Sequence, residues 1–237
     1  MTQYQKLFVE LYDIFRTNKS YQDTLSYLLP ALREHKVKTV LDVGCGTGTV
    51  AHLLTQKGFT CSGFDYSQEM VDYASARYPD LHFFQADAAR FVAKDYDAII
   101  ATDSVLTFLT QNEQFEQAIL SMLRQAKKII AFDVAFTETL IPKTFSDVTI
   151  SKASGKEYDL TKKAQVQRTG DKLVANISLT GRYKGNTIQV KETHTHRIVC
   201  AELIAKLAAQ EHYSVQILGN TREPWSNLKV IAVRKDS

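Results

Sequence analysis

The stretch Val40-Leu41-Asp42-Val43-Gly44-Cys45-Gly46-Thr47-Gly48-Thr49-Val50 runs an apolar strand into three glycines spaced two apart. A loop of this kind lets a ligand approach the backbone, because glycine has no Cβ to hold it off. A triphosphate-binding loop needs GxxxxGK[ST], with the lysine on the phosphates. Here Gly48 is followed by Thr49, Val50, Ala51 and His52, and that lysine is missing. A dinucleotide-binding loop reads G-x-G-x-x-G, its last glycine allowing close helix packing. Thr49 stands where that glycine would fall. Asp42, two residues before Gly44, would repel a pyrophosphate and suit a cofactor carrying a positive amine. Asp65 lies 17 residues after Gly48. An acid there accepts hydrogen bonds from ribose hydroxyls in more than one nucleoside-binding family.

Outward from this loop, apolar strands alternate with helical segments. Thr39–Val43, Thr60–Phe64, Leu81–Gln85, Asp97–Ala101 and Lys128–Val134 read as strands. Thr49–Lys57 reads as a helix, with Gly58 placed for a left-handed cap. Ser67 caps a helix reaching about Arg77, with Met70, Val71 and Ala74 inward, and Asn112–Gln125 is another. Residues 1–35 read as two helices, with the break expected at Asn18-Lys19-Ser20. Beyond Pro142 the period changes to two. Residues 145–197 read as an antiparallel meander divided at Gly155, Gly170-Asp171 and Lys184-Gly185-Asn186. A helix over Ala201–Gln210 and two strands, Ser214–Leu218 and Asn227–Arg234, close the chain as an antiparallel pair. The expected fold is α/β: a Rossmann-like, doubly wound seven-stranded sheet with its last strand antiparallel. A helical lid (1–35) precedes it. The main domain spans 36–142 and 198–237, and the antiparallel β insertion (143–197) follows strand five.

Four motifs in order resemble those of the class I S-adenosylmethionine-dependent methyltransferases. They are LDVGCGTG (41–48), GFDYSQEM (63–70), FFQADAARF (83–91) and YDAIIATDSVLTFL (96–109). The resemblance implies S-adenosylmethionine as cofactor, with S-adenosylhomocysteine as product. It implies cofactor contacts from Asp42, Gly44, Cys45, Gly46 and Gly48 in the first motif. Asp65 would hold the ribose, with Tyr66 beside it and Met70 near the adenine. Asp87 would meet the adenine amino group, with Ala88 beside the ring. Thr102 would lie below the sulfonium. In the small-molecule branch, lid residues often close over the cofactor, which nominates Tyr12, Arg16 and Tyr21. An arginine there could pair with the methionyl carboxylate. Cys45 reads as a small filler rather than a nucleophile, since nothing nearby would stabilise a thiolate.

The Asn/Asp-Pro-Pro-aromatic loop of nucleobase-amine methyltransferases is absent; the corresponding residues are Thr102-Asp103-Ser104-Val105. The lid and insertion instead resemble the small-molecule N- and O-methyltransferases. Methyl transfer is an in-line displacement, accelerated chiefly by alignment and desolvation. A hydroxyl acceptor benefits from a general base. Asp103 follows the fourth strand, and His194 and His196 alternate on one strand, so both face one side. These three are the candidate catalytic residues. As a metal pair, the two histidines lack a companion ligand at suggestive spacing, and no metal is expected.

Composition sets the outer bounds. The 237 residues are 44% hydrophobic and 23% charged, ordinary for a soluble globular chain. No apolar run approaches the roughly 20 residues of a membrane span, and the first residues make a poor secretory signal. Cys45, Cys61 and Cys200 form neither a disulfide framework nor a zinc site, so a reducing, cytoplasmic setting is expected. The net charge is +3, but it is uneven. Lys143–Arg197 carries eleven Lys/Arg against five Asp/Glu, a net +6, which leaves −3 on the remainder. The scatter of these lysines reads as a solvated face of alternating strands. A basic segment could also meet an anionic substrate or RNA, which keeps open an RNA (tRNA) or protein methyltransferase. A catalytically silent cofactor-binding protein is a further alternative. The leading expectation is a small-molecule methyl acceptor, nitrogen favoured over oxygen, with no membrane partner, in a monomer or homodimer. Trp225 is expected to pack over the end of the sheet.

Overall fold

The computed structural model describes residues 6–16, 18–135, 141–219 and 228–235. Trp225 therefore lies outside the described residues. Seven strands form one sheet: β1 (Thr39–Val43), β2 (Thr60–Asp65), β3 (His82–Gln85), β4 (Ala98–Ala101), β5 (Ile129–Val134), β10 (Tyr213–Leu218) and β11 (Leu228–Arg234). Their spatial order is β10-β11-β5-β4-β1-β2-β3. β1 pairs in parallel with β2 and β4, and β4 with β5. β11 runs antiparallel to both β5 and β10. Every residue of β4 and β5 is buried, as expected of central parallel strands covered on both faces.

Alternation along the strands sorts the core into two layers. Val40, Ala98, Ile100, Ile129 and Ala131 face the helices α2 (Asn18–Glu34), α3 (Thr49–Thr55) and α4 (Gln68–Arg77). Leu41, Val43, Ile99, Ile130 and Phe132 face α5 (Asn112–Gln125) and α6 (Ala201–Gln210). Local signals fix the helix ends. The Ser67 hydroxyl accepts the Met70 N–H at 3.3 Å, as a cap residue should. Gly58 takes φ 94° just past α3, where its N–H closes on the Thr55 carbonyl.

The insertion is a second sheet of four consecutive antiparallel strands: β6 (Ser146–Gly155), β7 (Tyr158–Thr169), β8 (Lys172–Tyr183) and β9 (Asn186–Arg197). One face buries Leu160, Leu179 and Val190 against Phe8 and Leu11 of α1 (Lys6–Tyr12). Nearer the main sheet, Val166, Leu173 and Ala175 pack with Ile141 and Ile198. The first helix is thus held beneath the insertion.

Two expectations need correction. Residues 13–16 lie in the break after α1, and Asn18-Lys19-Ser20 begins α2 instead. Polar residues that read as a loop are also favoured in the first turn of a helix, where backbone N–H groups lack partners. The loop after β4 also contains a short 3-10 helix, Val105–Phe108, that the sequence pattern did not indicate.

Candidate active site

β1 and β4 lie side by side where the strand order reverses, so a crevice opens beyond their C-terminal ends. The glycine loop lines it together with Asp65, Met70, Thr102, Asp103 and the lid residues Tyr12, Arg16 and Tyr21. Gly44, Gly46 and Gly48 all have positive φ, at 67°, 53° and 76°, but they serve different ends. A Cβ on Gly44 would strike Val105, and one on Gly48 would meet Phe83 at 2.7 Å. A Cβ on Gly46 meets nothing within 4 Å. The space over Gly46 is therefore open, while the other two glycines admit neighbouring side chains. Cys45 is buried with its Cβ against Gly63, and burial pushes its thiol well up. It is the packing residue that the sequence suggested.

Asp65 is prepared to accept. Its Oδ2 takes the Gly46 N–H and its Oδ1 the Ser67 N–H, both at 2.9 Å, which fixes the carboxylate at the rim of β2. Burial raises its pKa, and these N–H groups oppose the rise. Each oxygen keeps a lone pair for a ribose hydroxyl. Asp42 lies deeper, with neither oxygen hydrogen-bonded among the described residues. Burial, and then the charge of Asp65, push it up to about 8. An orphaned buried acid and an open Gly46 fit a cofactor that brings a positive amine and a sugar.

Tyr66, Asp87 and Ala88 do not line this crevice. Tyr66 is exposed, and Asp87 accepts the Ala89 N–H at 2.9 Å. Both sit on the adjoining loops after β2 and β3. These loops are joined by the Ala86 N–H to the Asp65 carbonyl and by the Gln85 amide to the Tyr66 carbonyl, each at 3.0 Å.

Two acids missed in the sequence organise the site. Asp13, in the bend between α1 and α2, accepts the hydroxyls of Tyr21 (2.6 Å), Thr47 (2.9 Å) and Thr49 (3.1 Å). It also pairs with Arg77 of α4. One carboxylate thus ties the lid to the glycine loop. Asp133, buried in β5, accepts the N–H of Asp103 at 3.2 Å and both the N–H and the hydroxyl of Ser104. Asp103 and Ser104 have φ of 65° and 57°. Left-handed conformations in two successive non-glycine residues persist only when their surroundings over-determine them, and Asp133 does so. Its own signal was an acid within the apolar strand KIIAFDV. Burial raises Asp133 to about 6, against the pull of the Ser104 hydrogen bonds.

A second cavity of about 380 Å³ adjoins the crevice, and the two share Tyr12, Arg16, Asp103 and Phe108. Asp103 is engaged there by an ion pair with Arg16 and by the Tyr12 hydroxyl at 3.0 Å. The Arg16 guanidinium lies 4.6 Å over the Tyr21 ring. His194 and His196 both line this cavity, flanking Phe108 at 5.5 and 4.2 Å between ring centroids. His196 Nδ1 is 2.8 Å from the Thr107 hydroxyl. Burial lowers His194 to about 4, helped by the charge of Lys162. Burial and His194 lower His196 to about 3. Both are neutral near pH 7. Among the described residues no cluster of His, Cys, Asp and Glu is arranged to hold a metal, and no helix is long and apolar enough to cross a membrane.

Residues 40–128 match the family model described as a methyltransferase domain. A putative methyltransferase of Bacillus subtilis, YqeM, is 29% identical over 152 residues, 59% of this chain; the match spans only 60% of that relative's length. The dTDP-3-amino-3,4,6-trideoxy-alpha-D-glucopyranose N,N-dimethyltransferase of Streptomyces venezuelae is 26% identical over 77% of this chain and 73% of its own. Among solved structures, SAM-bound CalS10, an amino pentose methyltransferase from Micromonospora echinaspora, superposes with a TM-score of 0.82. It covers 99% of both chains at 13% identity, a likeness of fold. Motif order, strand order and the matched domain agree: residues 40–128 carry a methyltransferase domain, set in a chain similar in fold to S-adenosylmethionine-dependent methyltransferases.

Proposed function

We propose that the protein moves a methyl group from S-adenosylmethionine to a nitrogen of a small-molecule amine. The observation that carries this reading is the shared wall between the crevice and the cavity. The glycine loop and Asp65 border one side, and Phe8, Phe15 and Phe108 line the other. The cofactor supplies an electrophilic methyl on a sulfonium. The chain supplies alignment: Asp65 fixes the sugar, Gly46 admits the cofactor chain, and the aromatic wall excludes water from the acceptor. Arg16 and Tyr12 reach from the lid across both spaces and hold Asp103 at the junction.

Nitrogen is favoured over oxygen by the state of the two histidines. Groups titrating near 3 and 4 are poor bases for a hydroxyl, whose deprotonation needs a base of pKa nearer the working pH. A neutral amine already carries its lone pair. An uncharged imidazole can accept one of its N–H groups and aim that lone pair at the crevice. The Streptomyces relative, whose name denotes an amino-sugar substrate, supports the same class. The test incubates the protein with methyl-labelled S-adenosylmethionine and paired amino and hydroxy sugars. Label on nitrogen of the amines alone is expected. Transfer only to the hydroxy partners would overturn the reading.

A further inference from the structure

The insertion's inward face is apolar by register. Leu160, Ala164 and Val166 of β7 share a side with Leu173, Ala175, Ile177 and Leu179 of β8, through the pairs Val166–Ala175, Ala164–Ile177 and Lys162–Leu179. Lys162 occupies a position on that side where the alternation calls for an apolar residue. Its neighbour Lys163 points outward and is exposed, like Lys191, so those basic residues form the solvated face. Lys162 is only partly exposed and lines the acceptor cavity beside Ile177 and Leu179.

Among the described residues, nothing lining that cavity neutralises it. The charged residues lining it are Arg16, Lys162 and Asp103. Asp103 is taken by Arg16 and Tyr12 from the lid. His194, facing Lys162 from β9, is uncharged near pH 7. Among the described residues Lys162 forms no ion pair; its ammonium lies 5.8 Å from the centre of the Phe15 ring. Burial, with the charge of Arg16, lowers its pKa. An ammonium withdrawn from water without a counterion is unfavourable, so a charge here is a feature that a ligand completes.

We propose that the methyl acceptor carries an anionic oxygen group, a carboxylate or a phosphate, which pairs with Lys162 while the reactive nitrogen faces Asp103 and the crevice. This rests on the methyltransferase reading above and names the chemistry of its acceptor. The anion and the amine would sit at opposite ends of one cavity, so a single ion pair would set the acceptor's orientation.

The test titrates inorganic phosphate and, separately, acetate into protein saturated with S-adenosylhomocysteine, using calorimetry on the wild type, Lys162→Met and Lys162→Arg. Wild type is expected to bind at least one of the two anions at one site. Lys162→Met, an apolar side chain of similar length, should bind it about tenfold or more weakly, the scale of one lost charge-assisted hydrogen bond. Lys162→Arg should retain most of the affinity. The preferred anion identifies phosphate or carboxylate as the group recognised. Absence of an anion site in the wild type, or equal affinity in Lys162→Met, overturns the proposal. S-adenosylhomocysteine binding is measured in the same samples. If it fails in the wild type, the methyltransferase reading falls; if it persists without an anion site, only the Lys162 assignment falls.

Discussion

Replacing Asp42 by Asn should stabilise the ligand-free protein, and the gain should grow with pH. Asp42 is buried, lacks a hydrogen-bond partner among the described residues, and sits beside Asp65. Its pKa moves from an ordinary 3.8 to about 8. The folded protein therefore keeps a proton on Asp42 through a pH range in which the unfolded chain has lost it. Where the folded state binds more protons, stability falls as pH rises. Each unit inside that window costs about 1.4 kcal/mol. From pH 5 to pH 7.5 Asp42 alone should lower stability by about 3 kcal/mol. Asparagine matches the protonated acid in shape and leaves a comparable polar group unpaired, so the two proteins should be alike only below an ordinary carboxylate pKa of 3.8, where Asp42 is protonated in both states. Above it, urea unfolding at intervals of half a pH unit should show Asp42→Asn pulling ahead, by about 2 kcal/mol at pH 5 and about 5 kcal/mol at pH 7.5. The difference should level off above about pH 8 with a wild-type deficit of several kcal/mol, once Asp42 is ionised in both states. Parallel pH profiles for the two proteins would refute the argument, because Asp42 would then be ionised in the fold at an ordinary pKa. A cationic cofactor group placed near Asp42 would lower its pKa again, so binding at pH 7 should release a proton in the wild type and less in the variant.

Other outcomes follow from the same geometry. Asp65→Ala should weaken S-adenosylhomocysteine binding by about 1.5–3 kcal/mol in calorimetry, through loss of charge-assisted hydrogen bonds; unchanged affinity would remove Asp65 from the cofactor site. Asp13→Ala deprives Tyr21, Thr47, Thr49 and Arg77 of one acceptor, and should cost about 2–3 kcal/mol. Hydrogen exchange should report it as faster opening of residues 6–34 than of β4 or β5, and uniform loss of protection would contradict a role as latch. The two histidines are held below an ordinary 6.5, so the fold binds fewer protons than the unfolded chain as pH falls through that value. Stability should drop from about pH 6.5 downward, and His194→Phe with His196→Phe should reduce that acid sensitivity. In the wild type the rate of methyl transfer should show no histidine limb between pH 6 and 7; a limb there, lost in His194→Phe, would make that residue a titrating base.

Legibility in the sequence tracked how local each cause was. The central strands were readable because both faces are covered, so apolar runs such as Ala98–Ala101 carry the whole signal. The bounds of α5 and α6 were readable for a similar reason: each buries a stripe at helical spacing. Asp65 was readable because a strand end and a following cap fix it within a few residues. Asp13 was not, since the groups that define it lie between 8 and 64 positions away. Its neighbours in sequence make it an ordinary acid in a bend. Asp133 and Lys162 stand between these cases. Each is a charged residue at an inward strand position where an apolar one is expected, Asp133 in a strand buried throughout and Lys162 on the inward side of an alternating one. That misfit is visible from sequence, but its meaning is not. For Asp133 the answer came from across the sheet, in two backbone groups held at left-handed φ. For Lys162 the described protein supplies no counterion. Both are inward charges with opposite resolutions, and the difference divides structural from functional polarity here. A buried charge satisfied within the fold positions the site, whereas one left uncompensated in a cavity describes the ligand.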